Sequence, residues 1–163
     1  KSCVPQRHLE LGYAKIHPVF VASVVARWGT PEKTLLFLLQ EMVEGVEVIV
    51  GVREDPLYGP VLVVGTGGIF VELVRDTAFC MLPVSKAKAT LLIKDLSINK
   101  LIKGFRGSKP ADREALIDAI CGLSKFYLDH RPWLSDLEIN PLIIRENGKG
   151  VRAVDIRFHL HDK

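Results

Sequence analysis

Leu137-Glu138-Ile139-Asn140-Pro141-Leu142-Ile143-Ile144 and Val151-Arg152-Ala153-Val154-Asp155-Ile156-Arg157-Phe158 flank the loop Glu146-Asn147-Gly148-Lys149-Gly150. Both flanks are rich in Ile, Leu and Val, and Asn-Gly is a strong hairpin signal, so the segment reads as two antiparallel strands. Strand side chains alternate between faces, which puts Glu138 and Asn140 on one side. Asp155 comes opposite them across the hairpin. Two carboxylates and an amide oxygen would then converge, an all-oxygen donor set of the kind Mg²⁺ takes alongside phosphate and water. The same pattern also describes solvent-face charges on an amphipathic hairpin.

Upstream of the hairpin, Leu116, Ile120, Leu123 and Tyr127 recur at helical spacing and Pro110 stands just before, predicting a helix over 112–129. Ser85 is a suitable N-cap for a second helix over 86–96. Further back come apolar or β-branched runs at 35–43, 47–52, 61–64 and 71–82. Each reads as a strand. Asp55-Pro56-Leu57-Tyr58-Gly59-Pro60 supplies turn chemistry between two of them. Strands, then helices, then a hairpin indicate an α+β fold with a largely antiparallel sheet. Residues 1–33 form a poorly patterned segment, in which the run 19–25 suits a strand or a short helix equally; the domain proper is expected over 34–163.

The 163 residues, 48% hydrophobic and 25% charged, are enough for a folded core and argue against disorder. A net charge of +3, with Lys and Arg scattered, gives no nucleic-acid footprint. No apolar run reaches membrane-spanning length and no secretory leader is visible. Cys3, Cys80 and Cys121 form neither a disulfide framework nor a zinc motif, which suits a reducing cytoplasm.

Three further stretches suggest chemistry. In Gln40-Glu41-Met42-Val43-Glu44-Gly45-Val46-Glu47 an apolar run meets acidic residues and a glycine. Its backbone can offer N–H and C=O groups to an adenine edge and a carboxylate to ribose; it also suits a solvated strand end. Gly65-Thr66-Gly67-Gly68-Ile69-Phe70-Val71-Glu72 lets backbone amides approach a phosphate, or forms a bulge between strands. It is neither a Walker A loop nor a dinucleotide fingerprint. Gly104-Phe105-Arg106-Gly107 places an Arg in a loop before a helix, either solvated or poised for bidentate phosphate contact.

Taken in order, these motifs resemble the ATP-grasp domain of NDP-forming (ADP-forming) acyl-CoA synthetases and, more distantly, the succinyl-CoA synthetase β subunit. The resemblance runs over about 36–158 and mainly concerns the C-terminal subdomain of the fold. It implies that Glu41, Met42 and Val43 read adenine through their backbone and that Glu47 holds ribose. It implies that Gly67, Gly68 and Glu72 shape a loop near the phosphorylated histidine, and that Arg106 faces phosphate or the incoming histidine loop. Glu138, Asn140 and Asp155 would bind the Mg²⁺–nucleotide, ATP or ADP. The implied reaction converts acyl-CoA, phosphate and ADP to acid, CoA and ATP, in concert with CoA-binding and ligase domains or subunits. The family's phosphate-holding lysines are not recognisable in 1–31, so the chain is expected to be a piece of a larger protein, inactive alone. A synthetase-like regulatory module of a protein lysine acetyltransferase, or an inactive remnant, are the other readings.

Overall fold

The computed structural model describes residues 10–14, 23–30, 33–67 and 76–161, with side chains from Gln40 onward. The chain divides into two compact units, 1–43 and 44–163. In the first, β1 (Glu10–Ala14), β2 (Ser23–Thr30) and β3 (Lys33–Gln40) form an antiparallel sheet in the order β1-β2-β3. The run expected at 19–25 is therefore strand from Ser23 on, and 19–22 lie outside the described residues. The strand expected to reach Val43 stops at Gln40.

The second unit holds β4 (Val46–Asp55), β5 (Gly59–Thr66), β6 (Thr77–Met81), α1 (Lys86–Lys94), α2 (Ile98–Ile102), α3 (Arg113–His130), β7 (Leu134–Ile144), β8 (Val151–Ala153) and β9 (Ile156–Leu160). Its antiparallel sheet runs β6-β5-β4-β7-β8, and β9 also pairs with β7. The hairpin expected from Asn147-Gly148 is present, its second arm broken into β8 and β9 at Val154 and Asp155. Of the strand expected over 71–82, the part 77–81 is β6; residues 71–75 lie outside the described set.

Alternation along β4 decides which face carries the core. Val48, Val50 and Val52 are buried, as are Leu62 and Val64 beside them on β5. They pack with Ile93 of α1, Ile98 and Ile102 of α2, and Leu116, Ile117 and Ile120 of α3 into one hydrophobic layer. The β4–β5 turn is closed by Asp55, whose Oδ1 accepts from the backbone N–H groups of Leu57 (2.9 Å) and Tyr58 (3.0 Å). These two bonds hold its carboxyl below the ordinary carboxylate range.

The helices start where the sequence predicts. Ser85 Oγ accepts from Lys88 N at the head of α1, and Asp112 Oδ1 from Ala115 N at the head of α3. Where two helices are predicted, three are present among the described residues. The extra one, α2, is five residues long and too short to display a period. On α3 the buried stripe includes Ile117 and Ser124, with Leu123 only half-buried. Ser124 Oγ accepts the Val84 N–H at 2.9 Å, so a polar side chain is satisfied at a core position. The end of α3 is tied to β4 by Arg131, whose Nη2 and Nε reach the two Glu54 carboxylate oxygens at 2.6 and 3.1 Å. Tyr127, fully buried, donates its hydroxyl to Ser135 O at 2.8 Å. No described helix is long and apolar enough to cross a membrane.

Candidate functional site

The helices cover the Val48–Val50–Val52 face of the sheet, so the alternate positions line the other face. Glu47 pairs in register with Ile143, Gly51 with Glu138, and Arg53 with Asp136. On the far side of β7, Glu138 pairs with Arg157 and Asp136 with His159. All these residues therefore share the open face.

Asn140 sits at the irregularity in this ladder. Val48 pairs with Leu142 and Val50 with Ile139, so Asn140 and Pro141 together oppose Ile49, a β-bulge. Proline lacks the N–H that a regular central position donates, which locates the bulge here. On the other side Asn140 N donates to Asp155 O (3.0 Å), and Val154 N donates to Pro141 O (3.1 Å). Asp155 is thus the cross-strand neighbour of Asn140, and both fall between core-facing partners, Leu142–Ala153 and Ile139–Ile156. Glu138 and Asn140 are half-buried and Asp155 is exposed. Glu138 and Asn140 thus stand two positions apart on β7, with the Asp155 backbone beside Asn140.

Along the open face lies a trough of about 460 Å³, lined by Ile49, Gly51, Arg53, Asp136, Glu138 and His159 among others. His159 Nδ1 is 2.7 Å from Asp136 Oδ1. Arg53, Asp136 and His159 were not singled out from the sequence. Asp136 and Glu138 share a strand face by simple alternation, and His159 pairs with Asp136 in the same register that joins Ile139 to Ile156 and Leu142 to Ala153; the register shift lies beyond it, between Asp136 and Leu134. Among the described residues no three His, Cys, Asp or Glu side chains are close enough to form a metal cage by themselves.

Of the other predicted site residues, Glu41, Met42 and Val43 follow the end of β3 as irregular chain; Met42 is almost fully exposed. Glu47 is exposed on β4. Gly67 is buried, and its N–H donates to Glu47 O at 3.0 Å, so this amide is already engaged in the sheet. Gly68 and Glu72 lie outside the described residues.

Arg106 stands in a tight turn between α2 and α3. Ser108 N donates to Phe105 O (3.1 Å), with φ of 51° at Arg106 and 86° at Gly107. Two successive positive φ values define a primed turn, in which glycine is the relaxed choice at both central positions. Arg106 is exposed, and its guanidinium lies 5.2 Å from the Phe105 ring centroid. Replacing Arg106 by Gly relieves the left-handed strain and loses only an exposed cation–π contact. We expect Arg106→Gly to raise stability by roughly 0.5–1 kcal/mol in denaturant titration. A loss of stability would mean that the side chain is integral to the turn.

Comparison with known proteins places this geometry in a family. The model of the ATP-grasp domain matches residues 21–160, starting earlier than the motifs alone suggest. The β subunit of the ADP-forming acetate–CoA ligase II of Pyrococcus furiosus is 36% identical over 116 residues, 71% of this chain and 49% of that subunit. The ADP-forming 4-hydroxybutyrate–CoA ligase of Nitrosopumilus maritimus is 39% identical over 124 residues, 76% of this chain and 18% of that enzyme. Among solved structures, the dinucleotide forming acetyl-coenzyme A synthetase 1 of Ca. Korarchaeum cryptofilum, in complex with coenzyme A and Mg-AMPPCP, superimposes with a TM-score of 0.70. It is 38% identical, over 76% of this chain and 57% of that one. The chain thus spans about half of the β subunit and under a fifth of the single-chain ligases it resembles. With an antiparallel sheet carrying helices on one face and the family match over residues 21–160, the chain belongs to the ATP-grasp domain family.

Proposed function

We propose that this chain is the nucleotide-binding part of an ADP-forming acid–CoA ligase, which interconverts acyl-CoA, ADP and phosphate with acid, CoA and ATP. The observation that carries the reading is the backbone bond from Asn140 to Asp155 across the β7 bulge, two residues from Glu138, whose face of the sheet Glu47 shares. These donors are all hard oxygens, two carboxylates and one amide. Mg²⁺ takes such donors and keeps positions for phosphate oxygens and water. Bound there, the ion would neutralise phosphate charge and orient the phosphate chain. Glu47 would accept from ribose hydroxyls, and Glu41 to Val43 would offer backbone groups to adenine. Gly67 would contribute indirectly, through its bond to the Glu47 carbonyl. Gly68, Glu72 and Arg106 would act on the phosphate or on the phosphoryl-carrying histidine, and the CoA-binding and ligase portions would complete the reaction. The chemistry is that of the relatives, whose names include acetate and 4-hydroxybutyrate as acids.

Titration calorimetry tests the binding step. The chain is expected to bind Mg²⁺–ADP with a Kd on the order of a millimolar, about −4 kcal/mol. Asp155→Ala should abolish the Mg²⁺-dependent part while leaving the fold intact, because Asp155 is exposed. No nucleotide binding at several millimolar by the parent chain would refute the reading. Equal Mg²⁺-dependent binding by the variant would move the metal away from Asp155.

A further inference from the structure

β9 is an edge strand. Among the described residues it pairs with β7, and no strand pairs with its outer side. In an antiparallel ladder the backbone groups of successive residues alternate between the two sides. Asp155 O accepts from Asn140 N, and six positions on His161 N donates to Trp133 O, both at 3.0 Å. Residues 155, 157, 159 and 161 thus turn their groups toward β7. The N–H and C=O groups of Ile156, Phe158 and Leu160 point outward, where an edge strand offers a template for another chain.

The same three residues carry apolar side chains on the helix face. Leu134 and Leu137, which oppose Leu160 and Phe158 in register, are buried, whereas Phe158 and Leu160 are 56% and 55% exposed. The helix α3 packs on β4, β7 and β8, and these two side chains stand beyond its cover. The open face of β9 presents Arg157 and His159. His159 is balanced by Asp136 at 2.7 Å. Arg157 is exposed and has no ion pair among the described residues, not even with Glu138 opposite it. No acidic residue stands in 156–160.

We propose that the outer edge of β9 takes an extended segment of a partner protein as an added strand, one that alternates apolar residues with Asp or Glu. Main-chain bonds to Ile156, Phe158 and Leu160 would hold the segment, and its alternate side chains would give the specificity. Apolar residues on its helix-side face would cover Phe158 and Leu160, and an acid on the other face would meet Arg157. Charge decides between this occupant and a second copy of the chain. Joining two β9 edges through their free groups sets Arg157 against Arg157 or His159 of the other copy, and like charges directly opposite are destabilising. The cation that discourages self-pairing selects an acidic strand.

The test uses the whole chain without nucleotide and two probes, acetylated and amidated peptides Val-Glu-Val-Glu-Val-Glu-Val and Val-Lys-Val-Lys-Val-Lys-Val. In amide exchange followed by NMR, Ile156, Phe158 and Leu160 should exchange readily in the free chain and Arg157 and His159 slowly. The Glu peptide should slow the first three and shift their resonances, and the Lys peptide should bind about tenfold more weakly. Arg157→Glu should reverse that preference. Phe158→Ala should weaken the Glu peptide by about tenfold. Phe158→Pro also removes the outward N–H but spares the ladder to β7, so it should abolish binding while unfolding in urea near the Phe158→Ala midpoint. Unchanged exchange at several millimolar Glu peptide overturns the proposal, as does equal binding of the two peptides. Binding retained by Phe158→Pro would show side-chain docking without strand addition, and so overturns it too. Protection of the three amides that grows with protein concentration alone, with a dimer in sedimentation, would make a second copy the occupant instead.

Discussion

Gly67→Ala should destabilise the fold by about 3 kcal/mol, enough to lower Tm by roughly 10 °C in a chain of this size. Gly67 is buried where β5 ends against β4, and a Cβ there would meet backbone atoms of Val48 at 2.5 Å (C), 2.7 Å (N) and 2.8 Å (O). None of those atoms can rotate away. Relief needs the two strands to part, which stretches the Gly67 N to Glu47 O bond and displaces Glu47 itself. The opposing term is small, since Gly→Ala lowers unfolded-state entropy by an amount worth only about 0.4–1 kcal/mol. Gly122 serves as the control. It lies on the exposed side of α3, where an added methyl would meet nothing within 4 Å, so Gly122→Ala should stabilise by about 1 kcal/mol. Thermal melts of the two variants should shift in opposite directions. A Gly67→Ala protein as stable as the parent would show that the close approach of β5 to β4 is not a constraint on the fold.

This glycine also marks how far the sequence could be read. Period-two and helical patterns were enough for β4, β5, the two longer helices and the 146–150 turn, because each is set by neighbours within a few residues. The pair Glu138 and Asn140 was legible for the same reason, and Asp155 followed from the hairpin. Gly67, by contrast, suited a phosphate-approaching loop and a bulge between strands equally; in the fold its N–H donates to Glu47 O and its bare Cα packs against Val48. Nothing in Gly65-Thr66-Gly67 states which strand lies beside it. His159 and Asp136 escaped notice although the hairpin register brings them together, because they stand 23 positions apart and neither falls in a patterned motif. The helix α2 escaped because five residues carry no period. What a sequence hides here is pairing across the sheet, and the trough is made of that pairing.

Asp112→Ala should cost about 3 kcal/mol, since one side chain holds two elements together. Oδ1 accepts from Ala115 N at 3.1 Å, capping α3, and Oδ2 accepts from Gly150 N at 2.9 Å, fastening the loop of the β7–β8 hairpin. Its own N–H donates to Arg145 O at 2.8 Å, so backbone and side chain grip the same loop. Losing an N-cap costs about 0.5–2 kcal/mol, and leaving the part-buried Gly150 amide without a partner at most about 1–3 kcal/mol. Asp112 is buried, so water does not easily replace either bond. The Gly150 N–H, more than any other group, holds the Asp112 carboxyl below its ordinary value of 3.8, against the opposing effect of burial. A carboxyl lowered on folding contributes stability that is fully present above the unfolded value, near pH 4, and that is lost as pH falls through the folded value. Glu146, in the same loop, is held down to about 2, first by Lys109 and then by Lys149, and its contribution fades in the same acid range. Asp112→Asn separates the two, because it keeps one acceptor and removes the titration. Its stability, measured by urea unfolding between pH 2 and 7, should start below that of the parent at neutral pH and converge on it in acid. Curves that stay parallel down to pH 2 would mean that the Asp112 charge plays no part in joining α3 to the hairpin.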